Sequence, residues 1–70
     1  MEGSVSNVIG KHVEYLGKYY EVISIKGDIL KLQEMVFDPD DLEWMPKYLP
    51  IYENLQYVRF LSEEEEEKFK

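Results

Sequence analysis

The stretch from Lys11 to Phe37, KHVEYLGKYYEVISIKGDILKLQEMVF, leaves a chain like this little choice of fold. Tyr, Val and Ile dominate its first two runs, as a half-buried pleated surface prefers. Gly17 and Gly27 stand between the runs, where a tight hairpin needs a residue that tolerates positive φ. The pattern predicts strands over 11–15, 19–25 and 29–36, joined as a meander. Val13 and Tyr15 share one face, and Leu30, Leu32 and either Met35 or Val36 point inward from the third strand, with Lys31 and Gln33 toward water. The second strand is in conflict with itself. Tyr20 and Val22 compete with Tyr19, Ile23 and Ile25 for the core face, and either a bulge or a sheet covered on both sides would resolve this.

Beyond the meander, Asp38-Pro39-Asp40-Asp41 reads as a helix start. Asp38 caps, Pro39 suits the first helical position, and acids favour the first turn. A short helix over 39–44, stopped by Pro46, is expected, with Leu42 and Trp44 or Met45 closing the end of the sheet. Lys47 to Tyr52 is extended, and Pro50 restricts it to an edge strand or an irregular connection. Leu55 to Leu61 is expected to be a strand. Ser62 with Glu65 three residues later forms a capping-box pattern, so a short C-terminal helix can start there. Five consecutive glutamates repel one another, so that helix is expected to fray.

These elements predict a mainly β fold: a small antiparallel sheet or an SH3-like barrel, with one short helix after strand 3. The organisation is a loose arm over 1–8, one small β domain over 9–61, and an acidic tail or short helix over 62–70. The string Val13-x-Tyr15-x-Gly17-Lys18-x-Tyr20-x-Val22 resembles SH3-like barrels. A four-stranded sheet with a helix on one face is the alternative.

Seventy residues allow one domain. No cysteine is present, so neither a disulfide nor a thiolate metal site can staple the core. No apolar run approaches the roughly 18 residues of a membrane span. Met1-Glu2-Gly3-Ser4 lacks the basic and apolar regions of a signal peptide, so a cytoplasmic location is expected. The formal net charge is −7, and it is unevenly placed. Residues 1–32 balance four acids against four lysines, whereas residues 33–70 carry eleven acids and four bases. Direct binding to nucleic acid or an anionic membrane is therefore disfavoured, and a basic partner is favoured.

No residue set suggests catalysis or a cofactor. His12, the only histidine, has no partner at a recognised catalytic or metal spacing and reads as an exposed strand residue. The serines lack a nucleophile-elbow context, and the glycines are too dispersed for a phosphate loop. Counted from Asp38, the sixth and twelfth positions of a calcium loop would be Glu43 and Leu49 instead of Gly and Glu, so an EF-hand fails.

Two binding features remain. Glu34, Asp38, Asp40, Asp41, Glu43 and Glu53, with Glu63, Glu64, Glu65, Glu66 and Glu67, form acidic clusters on either side of the Tyr57–Leu61 segment. Such clusters either solubilise the chain or imitate the charge line of DNA, about one charge per 1.7 Å of duplex axis. Tyr48 and Tyr52, together with other tyrosines, exceed what one small core absorbs and suit a protein contact. In size, charge and lack of chemistry the chain resembles the small acidic DNA-mimic proteins of phages, including inhibitors of the nucleoid protein HU. That resemblance implies a dimeric, non-enzymatic inhibitor. It would act in a host cytoplasm by occupying the basic surface of a DNA-binding protein. The alternative is an SH3-like interaction module that recognises a peptide or subunit through surface aromatics.

Overall fold

A computed structural model describes residues 8–70; the expected loose arm falls almost wholly outside them. The chain forms β1 (His12–Tyr15), β2 (Lys18–Lys26), β3 (Ile29–Asp38), β4 (Glu43–Pro46), β5 (Ile51–Asn54), β6 (Arg59–Phe60) and α1 (Glu63–Glu66). All pairings are antiparallel, in the order β4-β3-β2-β1-β6, with β5 also on β3. The fold is mainly β, as expected, and of the two architectures it is the open antiparallel sheet.

The meander is set by its turns. Tyr15 pairs with Lys18, which leaves Leu16 and Gly17 as a two-residue loop with φ of 53° and 79°. Both signs match a type I′ turn, whose twist suits adjoining strands. Lys26 pairs with Ile29 across Gly27-Asp28, and only Gly27 has positive φ, as in a type II′ turn.

The conflict within β2 is resolved in both of the ways available to it. Val22 pairs with Leu32 but Ser24 pairs with Lys31, so Ile23 is an extra residue. This bulge shifts the alternation, and Ile25 returns to the face of Tyr20 and Val22. Val13, Tyr20, Val22, Leu30 and Leu32 are the buried core on that face, joined at the margin by Tyr15, Ile25, Ile51, Leu55, Val58 and Phe60. Tyr19 points to the opposite face, where the C-terminal segment covers it.

The expected helix over 39–44 is absent. Asp38 pairs with Glu43, Phe37 with Trp44 and Val36 with Met45, so Pro39 to Leu42 is the loop of a β-hairpin. The Asp38 carboxylate accepts the Asp40 N–H at 2.9 Å. An Asp-Pro pair opens a turn by the same hydrogen bond with which it opens a helix. Ladder partners decide between the two: Val36, Phe37 and Asp38 find antiparallel partners in Met45, Trp44 and Glu43. Leu42, with φ of 54°, is exposed and closes nothing.

Lys47 to Pro50 is a wide excursion from the same β3 edge. Met35 faces Pro46 and Leu32 faces Ile51, so two residues oppose four. The Gln33 amide fills the gap in the ladder, donating to the carbonyls of Lys47 and Tyr48 at 2.8 Å each. The Lys47 N–H reaches Glu34 O at 2.9 Å.

The expected strand over 55–61 is shorter than its apolar composition suggests. Leu55–Tyr57 is a 3₁₀ turn capped by Asn54, which accepts the Gln56 N–H at 3.0 Å. Leu55 and Val58, three residues apart, both reach the core, a spacing that one 3₁₀ turn supplies and a strand does not. Only Arg59 and Phe60 then pair with β1.

Leu16 is a largely exposed leucine held in the left-handed region. Asn tolerates that conformation better and is the favoured first residue of this turn. Leu16→Asn is expected to raise unfolding stability by about 0.5–1 kcal/mol, measured by urea denaturation.

Candidate functional site

The acids fall into two classes once their surroundings are known. The first class holds the fold together. Ser62 caps α1 with both halves of a capping box: its hydroxyl accepts the Glu65 N–H at 3.2 Å, and its own N–H donates to Glu65 Oε1 at 2.9 Å. The Arg59 guanidinium, from β6, bridges Glu65 of α1 and Glu14 of β1. It donates at 3.0 and 3.1 Å to Glu65, and at 2.7 and 3.0 Å to Glu14. Arg59 first, and then the Ser62 N–H, hold the Glu65 carboxyl far below the usual carboxylate range, at about 2. The same two carboxylates push the Arg59 pKa higher still.

Glu66 receives the backbone N–H and the ring Nδ1 of His12, both at 2.6 Å. A carboxylate only accepts, so Nδ1 carries the proton. Phe69 lies flat on the face of the His12 ring, with centroids 3.8 Å apart and planes 2° from parallel. It also meets Trp44 at 5.0 Å and Tyr19 at 5.8 Å. Lys68 Nζ donates to the Tyr19 hydroxyl at 2.9 Å and lies over its ring. His12 is therefore buried rather than the exposed strand residue expected. Of the five glutamates expected to repel one another, Glu65 and Glu66 are tied to β6 and β1. Glu53 belongs to this class as well. It accepts the Tyr15 hydroxyl at 3.0 Å and thereby raises the phenol's pKa.

The second class has no ion-pair partner among the described residues, or only a surface one. Asp38 and Glu43 oppose each other directly on β3 and β4, with Asp40 and Asp41 exposed in the loop between them. Like charges directly opposite in a ladder are destabilising. Glu63 and Glu64 belong to α1 and make no ion pair with another described residue. Glu67 meets Lys70 at 3.4 Å on the surface. Glu34 is half-buried beside Tyr20, its cross-strand partner, and is set back from the tip.

Tyr48 and Tyr52 are about two-thirds exposed, at 66% and 65%, and lie on the excursion and on β5 rather than at the acidic tip. The chain's own lysines stand near their rings: Lys47 at 5.6 Å from Tyr48 and Lys31 at 6.0 Å from Tyr52. The structure thus brings Asp38, Asp40, Asp41 and Glu43 together and leaves the two tyrosines as a separate exposed feature. Sequence reasoning names Met35 or Val36 as inward and Trp44 or Met45 at the end of the sheet, but misses that Val36 and Met45 pair behind the acidic tip. Their signal is the pair of apolar dipeptides, Val36-Phe37 and Trp44-Met45, on either side of the acidic turn.

Among the described residues no group of three or more Asp, Glu or His side chains is placed to hold a metal ion. No helix among them is long and apolar enough to cross a membrane. No protein-family model, curated protein or solved structure matches the chain.

Glu65 fixes the pH behaviour of the C-terminal cover. A carboxyl whose pKa is depressed on folding stabilises the fold at neutral pH, and that contribution disappears as pH falls from about 4.5 toward about 2. The stability difference between the parent and Glu65→Gln is expected to be largest above pH 5 and to shrink through this window. Urea titrations monitored by Trp44 fluorescence measure it; a difference independent of pH would show that Arg59 does not hold Glu65 in solution.

Proposed function

We propose that this chain is a non-enzymatic decoy for nucleic acid. It binds the basic DNA-binding surface of a nucleoid-type protein such as HU and excludes DNA from it, in the cytoplasm of a host cell. One observation carries the reading: the β3–β4 hairpin sets Asp38 against Glu43 and adds Asp40 and Asp41 between them, with no compensating cation among the described residues. Apart from the hydrogen bond with which Asp38 closes the turn, the like charges cost the ladder a few tenths of a kcal/mol. The neutral first 32 residues build β1, β2 and the start of β3, about half of the sheet, and the tip acids lie outside the core cluster. Carboxylates on a hairpin loop are also preorganised, and preorganised charges give up less entropy on binding than those of a flexible tail. A concentrated anionic field steers a basic protein and favours displacement of its bound DNA.

Displacement of labelled duplex from purified HU, monitored by fluorescence anisotropy, tests the proposal. The parent is expected to release the duplex while binding none itself. The combination Asp40→Lys, Asp41→Lys and Glu43→Lys is expected to lose displacement by roughly tenfold or more. Glu43→Lys alone faces Asp38, so it is expected to raise stability by about 0.5 kcal/mol while weakening displacement. Loss of function with gain of stability separates a binding surface from a damaged fold. If the charge-reversed protein displaces DNA as well as the parent, the acids are solubilising surface only.

The exposed Tyr48, Leu49 and Tyr52 favour a second reading, a peptide- or subunit-binding module. It predicts binding that survives high salt and is weakened more by Tyr48→Ala with Tyr52→Ala than by neutralising the acids.

A further inference from the structure

Behind the acidic loop, the β3–β4 hairpin carries a groove of about 410 Å³ lined by Val36, Phe37, Pro39, Met45 and Pro46. Phe37 and Met45 are each about 40% exposed there, at 42% and 40%. Val36 and Met45 are cross-strand partners on the face of Leu30 and Leu32, beyond the end of the core cluster. Neither belongs to that cluster, so the fold leaves this apolar pair outside its own interior.

The groove is electrostatically unequal along its length. Asp38 lines its outer end, next to Asp40, Asp41 and Glu43, and Lys47 lines its inner end. An occupant with an apolar side chain and cations on one side would place those cations over the loop and keep them away from Lys47. A second copy of this chain fits poorly, because each copy brings its own net charge of −7. A nucleic acid is repelled by the same loop.

Resting on the decoy reading, we propose that this groove is the specificity anchor of the acidic interface. It takes one apolar side chain from a lysine- or arginine-rich segment of the partner protein while the loop carboxylates meet the flanking cations. Charge then supplies the encounter, and the groove supplies a contact that a uniform polycation lacks.

The test uses the full chain and two lysine-rich peptides of equal length and charge, one with a central phenylalanine and the other with a central serine. Affinities are measured calorimetrically at low and high salt, and the Val36 and Met45 methyl resonances locate the site. The phenylalanine peptide is expected to bind about tenfold tighter, to shift those methyls, and to keep its advantage at high salt. Met45→Glu adds negative charge but fills the groove with a carboxylate, so it is expected to abolish the phenylalanine advantage while leaving serine-peptide binding equal or stronger. Equal binding of the two peptides, or a preference that Met45→Glu leaves intact, overturns the groove and leaves the charge reading standing. A phenylalanine preference indifferent to reversal of Asp40, Asp41 and Glu43 supports the groove and overturns the decoy reading. No binding of either peptide overturns both.

Discussion

The whole structure answers one constraint: β2 is apolar on both sides. Tyr19 and Tyr20 are neighbours on an extended strand and must face opposite ways. A chain of 70 residues has material for one sheet, and a small core leaves little stability in reserve. The Ile23 bulge lets the far half of β2 serve the same core as the near half, through Val22 and Ile25. The face that Tyr19 occupies, with His12 and Trp44, then needs a cover. The C-terminal segment provides it by laying Phe69 on the His12 ring and beside Tyr19 and Trp44.

That cover explains how a run of five glutamates becomes structure. Left alone, the run would repel itself. Glu65 instead faces Arg59 and closes the capping box, and Glu66 faces His12, so two of the five are held from outside the helix. The Arg59 bridge is surface-exposed and contributes modestly as an ion pair. Its effect is geometric, because it ties α1 to β1 and β6 together and sets where Phe69 falls.

The glycine turns, the meander, the two remedies open to β2 and the Ser62 capping box are legible in the sequence, since each depends on residues close together in the chain. The elements that differ depend on pairings that local composition does not reveal. Asp38-Pro39 opens either a helix or a hairpin, and only the availability of Val36 and Phe37 as ladder partners decides it. Leu55 to Leu61 has strand composition, but the chain must turn at Leu55–Tyr57 to bring Phe60 beside Val13. His12 reads as exposed because nothing local covers it; its partners are Glu66 and Phe69, more than fifty positions away. Composition finds the acidic set but cannot divide it. Glu53, Glu65 and Glu66 are engaged within the fold, whereas Asp38, Asp40, Asp41 and Glu43 gather at the hairpin tip.

The division matters because charge and rigidity reside in different parts of most acidic chains. A free tail carries charge at high entropic cost on binding, and a well-packed surface usually intersperses its signs. The β3–β4 hairpin has both properties at once. Its ladder is set by four cross-strand pairs, and its loop is closed by the Asp38–Asp40 hydrogen bond. At its root, Gln33 bonds two carbonyls of the excursion that would otherwise loosen the edge of β3. Trp44 joins one face of the arm to Phe37, Tyr19 and Phe69. The C-terminal cover therefore does more than shield a second apolar face: through Trp44 it braces the strand that presents the acids, so the glutamates held inward fix the position of the carboxylates left outside.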